Sequence, residues 1–149
     1  MPASFDNLGV RFDYPENWTV EDISDSSNSQ QVVLSSPYTA FCQLSRHPAE
    51  TPLEPLFDEA LSALRTDYRE IEVEPDDEVL EGWQLQGFSV SFFYLDLINT
   101  CWLRGFRTPR ATYLVLFQAE DRDFTRTALV FRAILTGLIR NLAEDDAKS

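Results

Sequence analysis

The stretch FSVSFFYLDLINTCWLRGFRTPRATYLVLFQAE, Phe88–Glu120, decides the fold. It divides into three extended segments, Phe88 to Leu95, Thr100 to Arg107 and Thr112 to Ala119, separated by two short connections. Asp96 and Asn99 supply turn residues for the first connection, and Thr108 with Pro109 for the second. In the third segment Tyr113, Val115 and Phe117 share one face while Leu114 and Leu116 share the other. A half-solvated strand alternates apolar and polar residues, so a strand apolar on both faces must be covered on both. The stretch predicts an antiparallel meander whose last strand lies inside the protein.

Immediately upstream the chain is acidic from Asp67 to Glu81. Glu70, Glu72 and Glu74 alternate with Ile71 and Val73, which predicts an edge strand with a carboxylate face that repels further strands. Asp76, Asp77 and Glu78 read as a solvated turn. Before this run Leu53, Leu56, Phe57, Ala60, Leu61, Leu64 and Tyr68 follow helical spacing. Thr51 is the expected N-cap, Pro52 the first helical residue and Glu54 the partner in a capping box. Nearer the N-terminus Val10, Phe12 and Tyr14 alternate with polar residues. The turn at Pro15-Glu16-Asn17 then predicts a hairpin with a second strand at Trp18-Thr19-Val20. A polar loop over 25–29 and extended segments over Gln31 to Ser35 and Ala40 to Arg46 complete this half.

Downstream, a helix starts near Asp121 or Asp123. Its apolar stripe is Phe124, Ala128, Phe131, Leu135, Leu138 and Leu142, widened by Leu129, Ile134 and Ile139. The acidic residues from Ala143 to Ser149 are expected to fray. The fold class is α+β: an antiparallel sheet with helices on both faces, as a single domain over 1–149.

With 149 residues, 44% of them hydrophobic and eleven Phe among them, the chain has material for one real core. Its net charge is −13, which argues against nucleic acid and against anionic membrane surfaces. Residues 1–103 carry −15 and residues 104–149 carry +2. The opening Met1-Pro2-Ala3-Ser4 is not a charged apolar leader and no run is long enough to span a bilayer, so a cytoplasmic location is expected. Cys42 and Cys101 lie in apolar extended surroundings and read as reduced core residues, able to pair only if their strands are neighbours.

The segment GVRFDYPENWTV, Gly9–Val20, resembles the opening of the PsbP-like superfamily, which includes the photosystem II extrinsic protein P, the Ran guanine-nucleotide release factors and bacterial relatives. The order of the middle helix, long central strands and closing helix is similar over nearly the whole chain. The resemblance implies an α/β/α sandwich in a bacterial relative, working mostly without catalysis through protein contacts. Adaptor or chaperone-like roles belong to that class.

No catalytic constellation is visible. His47 is the only histidine, and there is no Ser-His-Asp set, no Cys-x-x-Cys and no phosphate-cradling Gly loop. No cofactor and no metal are expected; the cluster Asp76, Asp77, Glu78 and Glu81 lacks the spacing of a calcium loop. Arg104, Arg107 and Arg110 converge by sequence near Pro109. They could grip a carboxylate, though ion pairing with the domain's own acids is the favoured reading. The aromatic file Phe88, Phe92, Tyr94, Trp102 and Phe106 could line a groove, though such files are mostly core. The expected function is a non-catalytic protein-interaction module whose partner is another protein or a second copy, with Trp102, Arg104, Phe106, Arg107 and Arg110 as contact residues. The alternative is a carrier of a small apolar ligand or lipid, with a pocket between helix and sheet.

Overall fold

Alternating apolar residues and two-residue turns shape most of the chain. A computed structural model describes residues 2–23 and 30–147. In order, the elements are β1 (Ala3–Asn7), β2 (Val10–Tyr14), β3 (Thr19–Asp22), β4 (Gln30–Ser35), β5 (Phe41–Pro48), α1 (Leu53–Asp67), β6 (Ile71–Pro75), β7 (Glu78–Leu80), β8 (Trp83–Tyr94), β9 (Leu97–Arg107), β10 (Ala111–Glu120) and α2 (Asp121–Ala147). The polar loop expected at 25–29 lies outside the described residues.

Among the described residues β1 and β2 form a two-stranded ribbon, and the other strands form an antiparallel sheet in the order β3-β4-β5-β10-β9-β8-β6. The short β7 pairs with the Trp83–Leu85 end of β8. The meander read from Phe88–Glu120 is present as β8-β9-β10, and β10 is flanked by β5 and β9. Its alternation divides the core. Tyr113, Val115 and Phe117 join one cluster with Phe131, Ile134 and Leu138 of α2. Leu114 and Leu116 pack on a second cluster containing Phe57, Leu61 and Leu64 of α1. The acidic β6 stands at the sheet edge beside β8, with Glu72 and Glu74 exposed.

Four expectations are corrected. β2 does not form a hairpin with β3: it pairs with β1, while β3 pairs with β4. The turn from Pro15 to Trp18 is real, with the Trp18 N–H donating to Pro15 O at 3.0 Å. Burying Trp18 edge-on to Phe131 carries the chain away from the ribbon and into the main sheet. The capping box of α1 is absent: Pro52 takes the N-cap position, and no side chain caps the helix. The Thr51 carbonyl instead accepts the Thr112 hydroxyl at 2.8 Å. Pro52 and Pro55 have no N–H, so the first turn has fewer donors to satisfy. Leu129 is 79% exposed and lies outside the buried stripe of α2. Finally, α2 continues through Ala147, and an Arg11–Asp145 ion pair of 2.9 Å ties its acidic end to the ribbon.

Cys42 and Cys101 are free and buried, on β5 and β9, with β10 between them and their side chains in different clusters. A disulfide is out of reach, and burial pushes both thiols up.

Candidate functional site

A β-hairpin of type I′ needs positive φ at both turn residues, which Asn-Gly supplies at little cost. Among the described residues three turns have that backbone. Leu8-Gly9 joins β1 to β2, Glu81-Gly82 joins β7 to β8, and Leu95-Asp96 joins β8 to β9. The first two place glycine second. The third has none, and holds Leu95 at φ 52° and Asp96 at φ 63°. Leu8 is compensated by burial at 6% exposure, whereas Leu95 is 77% exposed and recovers nothing by packing. A left-handed non-glycine residue costs about 1–2 kcal/mol. Replacing the turn by Leu95→Asn/Asp96→Gly is therefore expected to raise the unfolding free energy by about 1–2 kcal/mol. Thermal denaturation would register it as a rise of roughly 2–8 °C in Tm.

The residues around this turn are equally unusual. Phe93 is 68% exposed, and Tyr94, Leu97 and Ile98 are also exposed. Phe93 pairs across the ladder with Ile98, and Tyr94 with Leu97. Each cross-strand pair shares a face and successive residues alternate, so the hairpin end is apolar on both faces, with Leu95 at its apex. One side is partly propped: the Tyr68 ring at the end of α1 stacks on buried Phe92 and meets Tyr94 edge-on, with centroids 3.9 and 5.7 Å apart.

The five residues expected to make contacts do not share a surface. Trp102, Arg104 and Phe106 alternate onto one face of β9, and Arg107 falls on the other. Phe106 is buried, stacked on Tyr113 and edge-on to Trp83. Trp102 packs edge-on against Phe124 of α2. Arg107 donates to Ala49 O at 2.8 Å, and Arg110 is exposed on the turn after β9. Phe88 and Phe92 pack with the α1 cluster, so the aromatic file lines no common groove.

Arg104 is enclosed, with a side chain 3% exposed. Its Nε donates to Glu78 Oε1 at 3.0 Å and its Nη2 to Asp76 Oδ2 at 2.8 Å. Nη1 donates to Leu103 O at 2.9 Å, and the guanidinium lies over the Trp102 ring. Glu78 reaches onward to Arg132 of α2 at 3.0 Å. The acidic run expected as a solvated turn is thus a clasp: Asp76 and the short strand β7 hold an internal arginine. Burial would raise the Glu78 carboxyl, but hydrogen bonds and charge from Arg104 and Arg132 outweigh it and hold the group below its ordinary value. This is the ion pairing favoured for Arg104 over a ligand contact.

A cleft of about 260 Å³ lies between α1 and the sheet, lined by Ala60, Leu64, Leu114 and Leu116 together with Gln43, Ser45 and Gln118. Gln118 Nε2 donates to the Tyr68 hydroxyl at 3.3 Å, and Gln43 Nε2 to Gln31 Oε1 at 3.0 Å. His47 is half-buried, with Nε2 3.0 Å from Ser45 Oγ; burial lowers its pKa, partly opposed by Glu59. Among the described residues no group of three or more His, Cys, Asp or Glu is placed to hold a metal ion, and no helix is long and apolar enough to cross a membrane.

No protein-family model and no curated protein matches the sequence. Solved structures do match the fold. Cyanobacterial PsbP from Synechocystis superposes with a TM-score of 0.60 at 11% identity, covering 91% of this chain and 90% of its own. The chain has a PsbP-like fold. PA94, a Pseudomonas aeruginosa protein of unknown function, gives a TM-score of 0.51 at 10% identity over 92% of this chain and 95% of its own. LpqN, involved in cell envelope biogenesis of Mycobacterium tuberculosis, gives 0.50 at 12% identity over 90% and 86%. At such identities the likeness carries the PsbP-like fold and no residue roles. The tip residues Phe93, Leu95, Leu97 and Ile98 were not among the expected contacts. The signal that marks them is apolar residues on both sides of Asp96, where a hairpin turn calls for polar ones.

Proposed function

We propose that this chain is a non-catalytic protein-interaction module that docks through the β8–β9 hairpin tip. The observation that carries the reading is Leu95, exposed, apolar and in an unfavourable backbone conformation that nothing in the fold repays. Strained residues of this kind cluster at binding and switch sites. Counting about 150–250 Å² for a large side chain, the five exposed apolar residues present on the order of 500 Å². That is the size of the largest apolar patch on an ordinary monomer, and such patches are often functional. At about 25 cal/mol per Å² its burial releases roughly 12 kcal/mol. Association costs about 4–15 kcal/mol, so the tip alone supports a reversible contact.

The layering supports a rigid platform for the tip. Because β10 alternates between a cluster containing α1 residues and one containing α2 residues, we read the helices as lying on opposite faces of the sheet in one domain. A cytoplasmic adaptor or chaperone-like role fits this reading. A carrier of apolar ligands or lipids fits less well: ligand pockets run about 300–1,000 Å³ and are mostly apolar. The cleft beside α1 is smaller, and Gln43, Ser45, Asp67, Tyr68 and Gln118 bring polar groups to its lining.

The test is the double variant Phe93→Ser/Leu95→Ser. It is expected to keep the far-UV circular dichroism and the Tm of the unaltered chain, because neither side chain is buried. In pull-downs from the source cell, proteins recovered by the unaltered chain are expected to drop at least about tenfold, the loss of a central apolar anchor. Equal recovery by both chains would overturn the docking reading.

A further inference from the structure

We infer, resting on the docking reading above, that the hairpin tip enters an apolar cleft on another protein, and that the rim of that cleft is lined with Lys and Arg. The two-sidedness of the tip specifies the shape of the receptor. Phe93 and Ile98 lie on one face, Tyr94 and Leu97 on the other, and Leu95 at the apex. A flat partner covers one face and leaves the other in water; a cleft covers both.

The charge around the tip specifies the rim. Asp67 and Glu70 stand beside Phe93, Tyr94 and Leu95. Glu72 projects from the adjoining edge strand opposite Ser91, and Asp96 is in the turn itself. Asp121 accepts the Thr100 hydroxyl at 2.5 Å just below the tip. Against these five carboxylates the collar holds Arg69, while exposed Arg122 beside Asp121 is paired with Glu120. A partner closing on the tip brings its rim within a Debye length of this collar, about 8–10 Å, where unlike charge assists docking and like charge opposes it.

The same collar weighs against the other occupants. A second copy docking by its own tip would bring five carboxylates against five. An anionic membrane would be repelled in the same way.

The test places a photo-crosslinker at the apex, Leu95→benzoylphenylalanine, in the full chain, with circular dichroism confirming the fold. Irradiation in an extract of the source cells is expected to give an adduct with a second protein. Its yield is expected to fall by at least about fivefold between 50 and 500 mM NaCl, as rim pairing is screened. It is expected to fall similarly at 50 mM on adding Glu70→Lys/Glu72→Lys, which reverses two collar charges at exposed edge positions. If that variant does not fold, the salt series on the unaltered collar decides. An adduct insensitive to salt and to charge reversal would overturn the cationic rim while leaving docking through the tip intact. An adduct with this chain alone would replace the inference by self-association. Labelling of phosphatidylcholine vesicles with no protein adduct would replace it by a lipid surface. No adduct of any kind would overturn both this inference and the docking reading.

Discussion

Neutralising the two carboxylates of the clasp, Asp76→Asn/Glu78→Gln, is expected to lower the unfolding free energy by about 3–5 kcal/mol, because it strands a buried guanidinium without a counter-charge. Arg104 is 3% exposed and cannot recover solvent in place of its acids. Removing the other partner should cost less. After Arg104→Met, Asp76 remains 41% exposed to water and Glu78 keeps Arg132 at 3.0 Å, so neither acid is stranded. Chemical denaturation of the two variants should place Arg104→Met at less than half the loss of the double variant. The reverse order would mean that the arginine's packing over Trp102 matters more than its charge.

The pH dependence follows from the same geometry. The folded Glu78 carboxyl lies below its ordinary value, so its contribution is fully present above the unfolded pKa of about 4.5 and is lost as pH falls through the folded one. Acid unfolding of the unaltered chain should show this loss, and Arg104→Met should flatten it.

Gly87→Ala is expected to cost about 3 kcal/mol, at the upper end for overpacking, since what it meets cannot turn aside. A Cβ at Gly87 would lie 2.7 Å from both Asp76 O and Leu103 O, and 2.8 Å from Arg104 Nη1. The two carbonyls belong to backbone on either side of β8. The Asp76–Asp77 corner is fastened to this glycine twice, by the Asp76 N–H to Gly87 O at 2.8 Å and by the Gly87 N–H to Asp77 Oδ1 at 2.9 Å. To admit a methyl group the corner must lift, taking Asp76 away from Arg104. Hydrogen exchange should then show faster opening at β7 and the neighbouring end of β8 than in the unaltered chain; equal protection there would show that the corner yields without detaching.

The meander, the α1 face and most of the α2 stripe were legible in the sequence because each follows from local period. Tyr113 to Phe117 alternate between two apolar sides, and Phe124 to Leu142 recur by fours and threes. The pairing of β2 was not legible: a strand ending in Tyr14-Pro15 and one starting after Trp18 look like a hairpin, and only tertiary burial of Trp18 decides otherwise. The fate of Arg104 was half legible. Its pairing with the protein's own acids was the favoured reading, but the partners are 26 and 28 residues away, on elements that only the folded sheet brings together. The tip was hidden by a sound rule, that aromatic strands are usually core. The rule holds for Phe92 and fails one residue later at Phe93, because there β6 and β10 stop and only the β8–β9 ladder continues.

The placement of β10 between β5 and β9 also sets the order in which the molecule can assemble. Among the described strands β3-β4-β5 and β8-β9-β10 each pair in sequence order, whereas the two halves of the sheet pair along β5 and β10, across the whole stretch from Pro48 to Ala111. Such distant pairing forms slowly, because chain entropy is lost before the contacts repay it. Of these strands β10 is the last to leave the ribosome. Until it arrives, β5 has an open edge, with Cys42 and Leu44 still without their cover. The edge of β5 therefore stays open to misassembly until Ala111–Glu120 has been synthesised.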